Sequence, residues 1–354
     1  MISQEVLYFT LFSVFVIGVL IFDLTVVGRN SHVISFKESL TWTAVWVSLA
    51  MLFYVFLLNF GDRLHGITNM EHLQDICHKY ANHLKLGKSD FAHSLSVYRK
   101  NMGMEFLSGY LIEYTLSMDN VFVIMMILAT FSVREKYYKQ VLFWGILGAI
   151  VLRFLFIFTG AALIARFEWI LYIFGAFLVY TGVKVFIERN KEEKIEVNEH
   201  PLVKFLSKHT NIYPRFFKDH FFVRTKKKFY ITPLFIVLIL IEFTDVIFAM
   251  DSIPAIFAVT RDPYVVFFSN IFAIIGLRSL FFLLMRVVNL FHYLKIGISF
   301  LLVFVGFKLL LSNWLEHIGF TPVYSLYVIL LTLVLCIIAS LIFPKKQAEV
   351  AGNK

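Results

Sequence analysis

Residues 113–120 read Glu-Tyr-Thr-Leu-Ser-Met-Asp-Asn, and residues 245–252 read Asp-Val-Ile-Phe-Ala-Met-Asp-Ser. Both octapeptides lie inside long apolar runs. At a constant offset of 132, Glu113 falls on Asp245, Met118 on Met250, Asp119 on Asp251 and Asn120 on Ser252. Downstream, Leu152-Arg153 matches Leu277-Arg278 at an offset of 125, and Gly182-Val-Lys184 matches Gly306-Phe-Lys308 at an offset of 124. The order acid, acid, Arg, Lys is thus written twice, each time across three apolar segments. A unit with an odd number of membrane helices re-enters the bilayer upside down. The pattern therefore predicts two inverted three-helix repeats, a transporter arrangement that binds substrate near the midplane where the copies meet.

The rest of the chain fits a membrane setting. Of 354 residues, 59% are hydrophobic, 16% are charged and 41 are Phe, which no water-facing surface accommodates. Disorder and a secreted disulfide scaffold are excluded, the latter because only Cys77 and Cys336 occur. A transmembrane barrel would show short alternating strands, whereas uncharged apolar runs here approach the roughly 20 residues a helix needs to span a bilayer. Nine such runs lie near 5–27, 40–61, 104–131, 140–164, 168–187, 231–257, 264–286, 294–312 and 322–343. The expected fold is an all-α membrane protein of about nine transmembrane helices. The first run lacks a basic leader and a small-residue cleavage site, so it reads as a retained helix.

The segments order themselves accordingly. Residues 1–61 hold two transmembrane helices. Residues 62–103 form an outer, His-rich polar segment with an amphipathic helix, the first repeat covers 104–187, and a basic loop fills 188–230. The second repeat covers 231–312, and 313–354 supply a ninth helix and a short tail. Alternate loops carry 21 and 8 Lys and Arg. The positive-inside rule then places the basic loop and the C-terminus in the cytoplasm and the N-terminus outside, for a multi-pass protein of the cell membrane. The basic loop reads as an anchor near anionic headgroups. A metal-gathering role for His65, His72, His78, His83 and His93 matches no standard zinc spacing.

A carboxylate at the centre of a membrane helix costs about 2.5–3.5 kcal/mol even on insertion scales. Glu113, Asp119, Asp245 and Asp251 therefore need partners. On a helix, Glu113 shares a face with Asn120 and Asp245 with Ser252, so each segment presents a polar wedge. Inversion would set Glu113 level with Asp251, and Asp119 level with Asp245. Oxygen ligands from Glu113, Asp119, Asn120, Asp245, Asp251 and Ser252 suit hard divalent ions, and thioethers of Met118 and Met250 would tilt the choice toward Mn²⁺. Pro254 is expected to break its helix. Arg153, Lys184, Arg278 and Lys308 match the four acids in number. They serve as charge partners that either hold the bundle together or exchange with the ion. Glu242, three residues before Asp245, is a further proton-site candidate, and Glu105 reads as the opening of the third helix.

These residues resemble the TerC/Alx family of integral membrane proteins, named for tellurite resistance. The resemblance rests on Gly109-Tyr-Leu-Ile-Glu113, on Ser117-Met-Asp-Asn120, on Ile241-Glu-Phe-Thr-Asp245 and on Phe248 through Ala258. Phe22-Asp-Leu24, Ser35-Phe-Lys-Glu38, Phe221-Phe-Val-Arg224 and Gly276-Leu-Arg278 extend it over nearly the whole chain. The departure is the stretch from 62 to about 100, longer and richer in His than the family pattern. The resemblance implies a cytoplasmic-membrane exporter of Mn²⁺. The expectation is a secondary transporter, not an enzyme, with Mn²⁺ as substrate, Ca²⁺ as a competitor, protons as counter-ion and no cofactor or nucleic-acid partner. An anion or amino-acid exporter using the four cations, and a non-transporting scaffold, are the alternatives.

Overall fold

The computed structural model describes residues 4–22, 35–82, 84, 90–167, 169–188, 210, 212–213, 220–225, 228–287, 293–311, 314–315, 320 and 322–342. Eleven helices and one small hairpin make up the described regular structure apart from short 3₁₀ turns: α1 (Gln4–Phe22), α2 (Phe36–Phe60), α3 (Met70–Tyr80), α4 (Phe91–Thr130), α5 (Tyr138–Arg166), α6 (Ile170–Glu188), β1 (Phe222–Thr225), β2 (Lys228–Ile231), α7 (Pro233–Phe257), α8 (Pro263–Ile275), α9 (Leu277–Val287), α10 (Leu294–Leu310) and α11 (Pro322–Ile342). The helical expectation holds. The hairpin, with Phe222 opposite Ile231 and Thr225 opposite Lys228, lies at the end of the expected basic loop.

Helix starts follow local chemistry. Ser35 caps α2 by accepting from the Glu38 amide at 3.2 Å, Asn69 caps α3, and Asp90 caps α4 through the His93 amide at 3.0 Å. Asp262 caps α8 through the Tyr264 amide at 2.9 Å, with Pro263 at the first helical position, where no amide is needed.

Five helices are long and apolar enough to cross a bilayer, and a sixth span results if α8 and α9 count as one. Shorter apolar helices cover Val6–Val19, Ile296–Leu310 and Tyr324–Ser340. Large apolar side chains face outward on α1, α2, α5, α6 and α11, as with Val14, Leu52, Leu155, Ile187 and Leu331, each more than half exposed. Only hydrocarbon suits such a surface. By contrast, every residue of α8 from Val265 to Ile275 is buried, which makes it the central helix. Phe12, Phe53, Phe106, Phe268 and Phe272 interlock there, with ring centroids 4.3–5.9 Å apart along the chain of contacts.

Two expectations are corrected. Pro254 does not break α7, which runs unbroken to Phe257; the proline forgoes only the one amide bond to the Met250 carbonyl, and the helix ends three residues later. The break falls at Gly276 instead, where α8 and α9 meet at 45° just before Arg278. Glu105 does not open a helix either. The 40 residues of α4 begin at Phe91, so Glu105 lies fifteen residues in and is 3% exposed.

Candidate functional site

The two acid-bearing helices, α4 and α7, pack against each other and against α8, and α5 packs against α7 and α8. Arg153 projects from α5 into their junction and is 1% exposed. Its guanidinium makes a two-point contact with Asp245, Nη2 to Oδ1 at 3.0 Å and Nε to Oδ2 at 3.3 Å. Nη1 forms a close ion pair with Glu113 Oε1 and donates to Asn270 Oδ1 at 3.1 Å. Asn270 from α8 closes the ring by donating from Nδ2 to Glu113 Oε2 at 3.1 Å, and Ser117 Oγ donates to Glu113 Oε1 at 3.3 Å. One guanidinium therefore serves two carboxylates, Glu113 fully buried and Asp245 with its side chain 14% exposed.

Glu113 and Asp245, the equivalent acids of the two octapeptides, thus meet across the same guanidinium. This corrects the layering that set Glu113 level with Asp251. The first acid of each octapeptide is bonded to Arg153, so the two equivalents sit on either side of one guanidinium.

Beside the ring is a cavity of about 20 Å³, lined by Asn120, Gly145, Ala149, Asp245 and Leu277 among others. Asn120 and Ser252 are both buried, and the Ser252 hydroxyl has no hydrogen-bond partner among the described residues. Glu242, one turn before Asp245, turns its carboxylate against Gly148 of α5, and its buried Oε2 likewise lacks a hydrogen bond there. Asp251 is half-buried further along α7. The side chain of Asp119 lies outside the described residues. Among the described residues, no three His, Cys, Asp or Glu side chains converge as a metal centre. The carboxylates are held by Arg153.

The expected cations do not all gather here. Arg153 does, and Arg278 is buried at the start of α9, 5% exposed. Lys184 is exposed, and Lys308 lines a different cavity with Glu105. The balance of four acids by four bases at one site is therefore corrected. Met250 is 53% exposed and faces away from the ring, and Met118 is half-buried against the core. His65 is buried and bonded to Asp262 at 2.8 Å, His72 is half-buried, His78 and His93 are exposed, and no three of the described histidines and acids converge. His83 lies outside the described residues.

Asn270 is the site residue that sequence reasoning missed. A signal existed, since with Ser269 it is one of two polar side chains between Val265 and Leu277. A polar group at that depth needs a buried partner.

Comparison with known proteins also gives a membrane protein. The chain is 43% identical over 331 residues to an uncharacterized membrane protein, STKORF319, of Myxococcus xanthus, covering 94% of this chain and 91% of the relative. It is 41% identical over 304 residues to an Escherichia coli (strain K12) protein named "Putative membrane-bound redox modulator Alx", covering 86% and 85%. An uncharacterized membrane protein of Rickettsia bellii is 36% identical over 337 residues. No solved structure matches. Residues 98–348, which hold both octapeptides, Arg153 and Asn270, match the pattern of the integral membrane protein TerC family, and the chain belongs to that family.

Proposed function

We propose that this multi-pass membrane protein is a secondary transporter that exports divalent metal cations, with Mn²⁺ as substrate, in exchange for protons. The observation that carries this reading is the Arg153 ring. A buried guanidinium shared by Glu113 and Asp245 is a tethered cation in the place an incoming ion would take. The donors around it are oxygens and an amide, the set that suits Mn²⁺. When the ion binds, Arg153 is released, and when the ion leaves, Arg153 returns, so the carboxylates are never left bare in low dielectric. Glu242, with an unsatisfied buried oxygen one turn away, is the proton carrier in this scheme.

Helix packing supports the inverted repeat. A Cβ on Gly175 would come within 2.9 Å of the Gly306 carbonyl oxygen, and one on Gly306 within 2.7 Å of the Gly175 carbonyl oxygen. Seven residues along α6, Gly182 meets Ser299 in the same way, seven residues back along α10. Because the paired numbers rise on one helix as they fall on the other, α6 and α10 run antiparallel. At the offset of 124, Gly182 corresponds to Gly306 and Gly175 to Ser299, so exchanging the repeats exchanges the two contacts. Two equivalent helices crossing antiparallel are what inversion requires. Nine spans, the N-terminus outside and the C-terminus in the cytoplasm complete the proposed topology.

The anion-exporter reading loses its basis because Lys184 and Lys308 stand away from the ring. A thiol-based redox role, suggested by the name of the Alx relatives, finds little support in the cysteines. Cys77 is buried near Glu105, while Cys336 packs against Gly297, at the opposite end of α10 from Lys308. They lie at opposite ends of the bundle.

The test is Mn²⁺ flux into proteoliposomes containing the full chain, with a pH reporter inside. Wild type should move Mn²⁺ with a counter-flow of protons, and Glu113→Gln and Asp245→Asn should not. Wild-type flux equal to that of empty liposomes would overturn the assignment.

A further inference from the structure

A second polar cavity, of about 100 Å³, opens at the end of the bundle where the 61–84 segment folds. Glu105, Thr260, Arg261, Lys308, Tyr80 and Asn82 supply its polar lining. Both oxygens of the buried Glu105 are engaged. Asn101 Nδ2 donates to Oε1 at 2.8 Å, and Thr260 Oγ1 donates to Oε2 at 2.7 Å. Thr260 Oγ1 in turn accepts from the Asp262 amide at 3.2 Å, and Asp262 Oδ2 lies 2.8 Å from His65 Nε2. Tyr98, seven residues before Glu105 and so on the same face of α4, buries a hydroxyl that has no hydrogen-bond partner among the described residues. This is a built polar chamber rather than a lone charge.

Its position relative to the ring is informative. Eight residues of helix, about 12 Å, separate Glu105 from Glu113 on α4. Between them α4 is shut against its neighbours at Gly109, where a Cβ would come within 2.8 Å of Ser269 Oγ and 3.1 Å of Ile256 Cγ2. Chamber and ring are thus two polar stations on one helix, divided by a close-packed step. A carboxylate needed only to hold the Thr260 turn would be served by a dry contact. It would not need a cavity shared with two cationic side chains. A single carboxylate opposed by Arg261 and Lys308 holds a divalent ion weakly, which suits release and discourages return.

We infer that this chamber is the release station for the transported divalent cation, with Glu105 and the Thr260 hydroxyl as its landing ligands and Lys308 and Arg261 as the barrier to re-entry. The inference rests on the export reading and adds a site to it. It also gives Lys308 a role apart from the acids of the octapeptides.

The experiment uses full-length protein in proteoliposomes, with Mn²⁺ entry read by a trapped fluorophore and Mn²⁺ varied on the exit side. Glu105→Gln should slow transport by about tenfold or more, while Mn²⁺ binding to detergent-solubilised protein stays within about twofold of wild type. Lys308→Gln should transport in the forward direction, yet be inhibited by exit-side Mn²⁺ at about tenfold lower concentration. If Glu105→Gln fails to fold, Lys308→Gln decides alone, with sensitisation supporting the station and unchanged inhibition overturning it. Active wild type with both variants indistinguishable from it overturns the release station alone. Inert wild type overturns the export reading and the station with it.

Discussion

Arg153 and Asp245, 92 residues apart in sequence, are joined by two parallel hydrogen bonds of 3.0 and 3.3 Å, and the remaining guanidinium nitrogen reaches Glu113. This three-way grip depends on the planar fork of arginine, because a lysine ammonium is a point charge that cannot satisfy both carboxylates in this geometry. Arg153→Lys should therefore assemble in the membrane but unfold more readily, and it should lose most Mn²⁺ flux. Arg153→Ala, which leaves the buried Glu113 and the largely buried Asp245 without a cation, should cost about 3–5 kcal/mol and give little folded protein. Thermal unfolding in detergent, monitored by size-exclusion, ranks the two. Equal stability for wild type and both variants would remove the ring from any structural or tethered-cation role.

Much of this site was legible in the sequence because charge inside an apolar run is conspicuous. Glu113, Asp245 and Arg153 stood out, as did their repetition. Which acid meets which base was not legible, since depth and helix crossing are tertiary properties. Lys308 repeats Lys184 in register, yet one lines the Glu105 chamber and the other is exposed. The apolar run begins near Glu105, but its helix does not. A helix does not end where hydrophobicity ends: Asp90 caps α4 a full fifteen residues earlier, and the polar turns continue the same helix out of the apolar zone. Pro254 drew the expected break, yet the bend lies at Gly276, which packs beside Trp46 of α2 with room to spare.

The pairing of Gly148 with Glu242 makes a second prediction. The Glu242 carboxylate occupies the space a side chain at 148 would need. Gly148→Ala should push Glu242 aside at a cost of about 1–3 kcal/mol and impair proton counter-flow more than Mn²⁺ binding. Because the obstacle is the end of one side chain, Gly148→Ala combined with Glu242→Ala should recover most of the lost stability. Unfolding midpoints for the four members of this cycle measure the coupling. Simple additivity of the two single changes would mean that the residues do not touch.

A third prediction concerns the crossing of α6 and α10. The atoms nearest Gly175 and Gly306 are each other's backbone oxygens, which cannot swing away as a side chain can. Gly175→Leu should force the helices apart and reduce the yield of monodisperse protein severely. Ser299→Ala removes only the 2.7 Å bond from Ser299 Oγ to the Gly182 carbonyl oxygen, and should cost about 1 kcal/mol. Small residues permit this close approach in a setting where burial from lipid gives no hydrophobic gain. Comparing the melting of the two variants in detergent tests it, and a Gly175→Leu protein as stable as Ser299→Ala would show that the crossing is loose.

The last prediction links thiol chemistry to topology. Burial, reinforced by the charge of Glu105, pushes the Cys77 thiol up to about 11. A raised value keeps the group as neutral thiol throughout the range below it, so near pH 7.5 the thiolate that attacks maleimide is scarce and shielded as well. Native protein should leave Cys77 unlabelled at that pH and label it once unfolded in detergent. That inertness makes the topology testable without much background. In a Cys77→Ser, Cys336→Ala chain, Asn82→Cys should react with a membrane-impermeant maleimide added to intact cells, because Asn82 is exposed at the end of the bundle assigned to the outside. His220→Cys, exposed at the entry to the basic hairpin, should react only after the membrane is opened. The reverse pattern would invert the orientation, and with it the direction in which the Glu105 chamber releases its ion, while leaving the Arg153 ring and its chemistry as described.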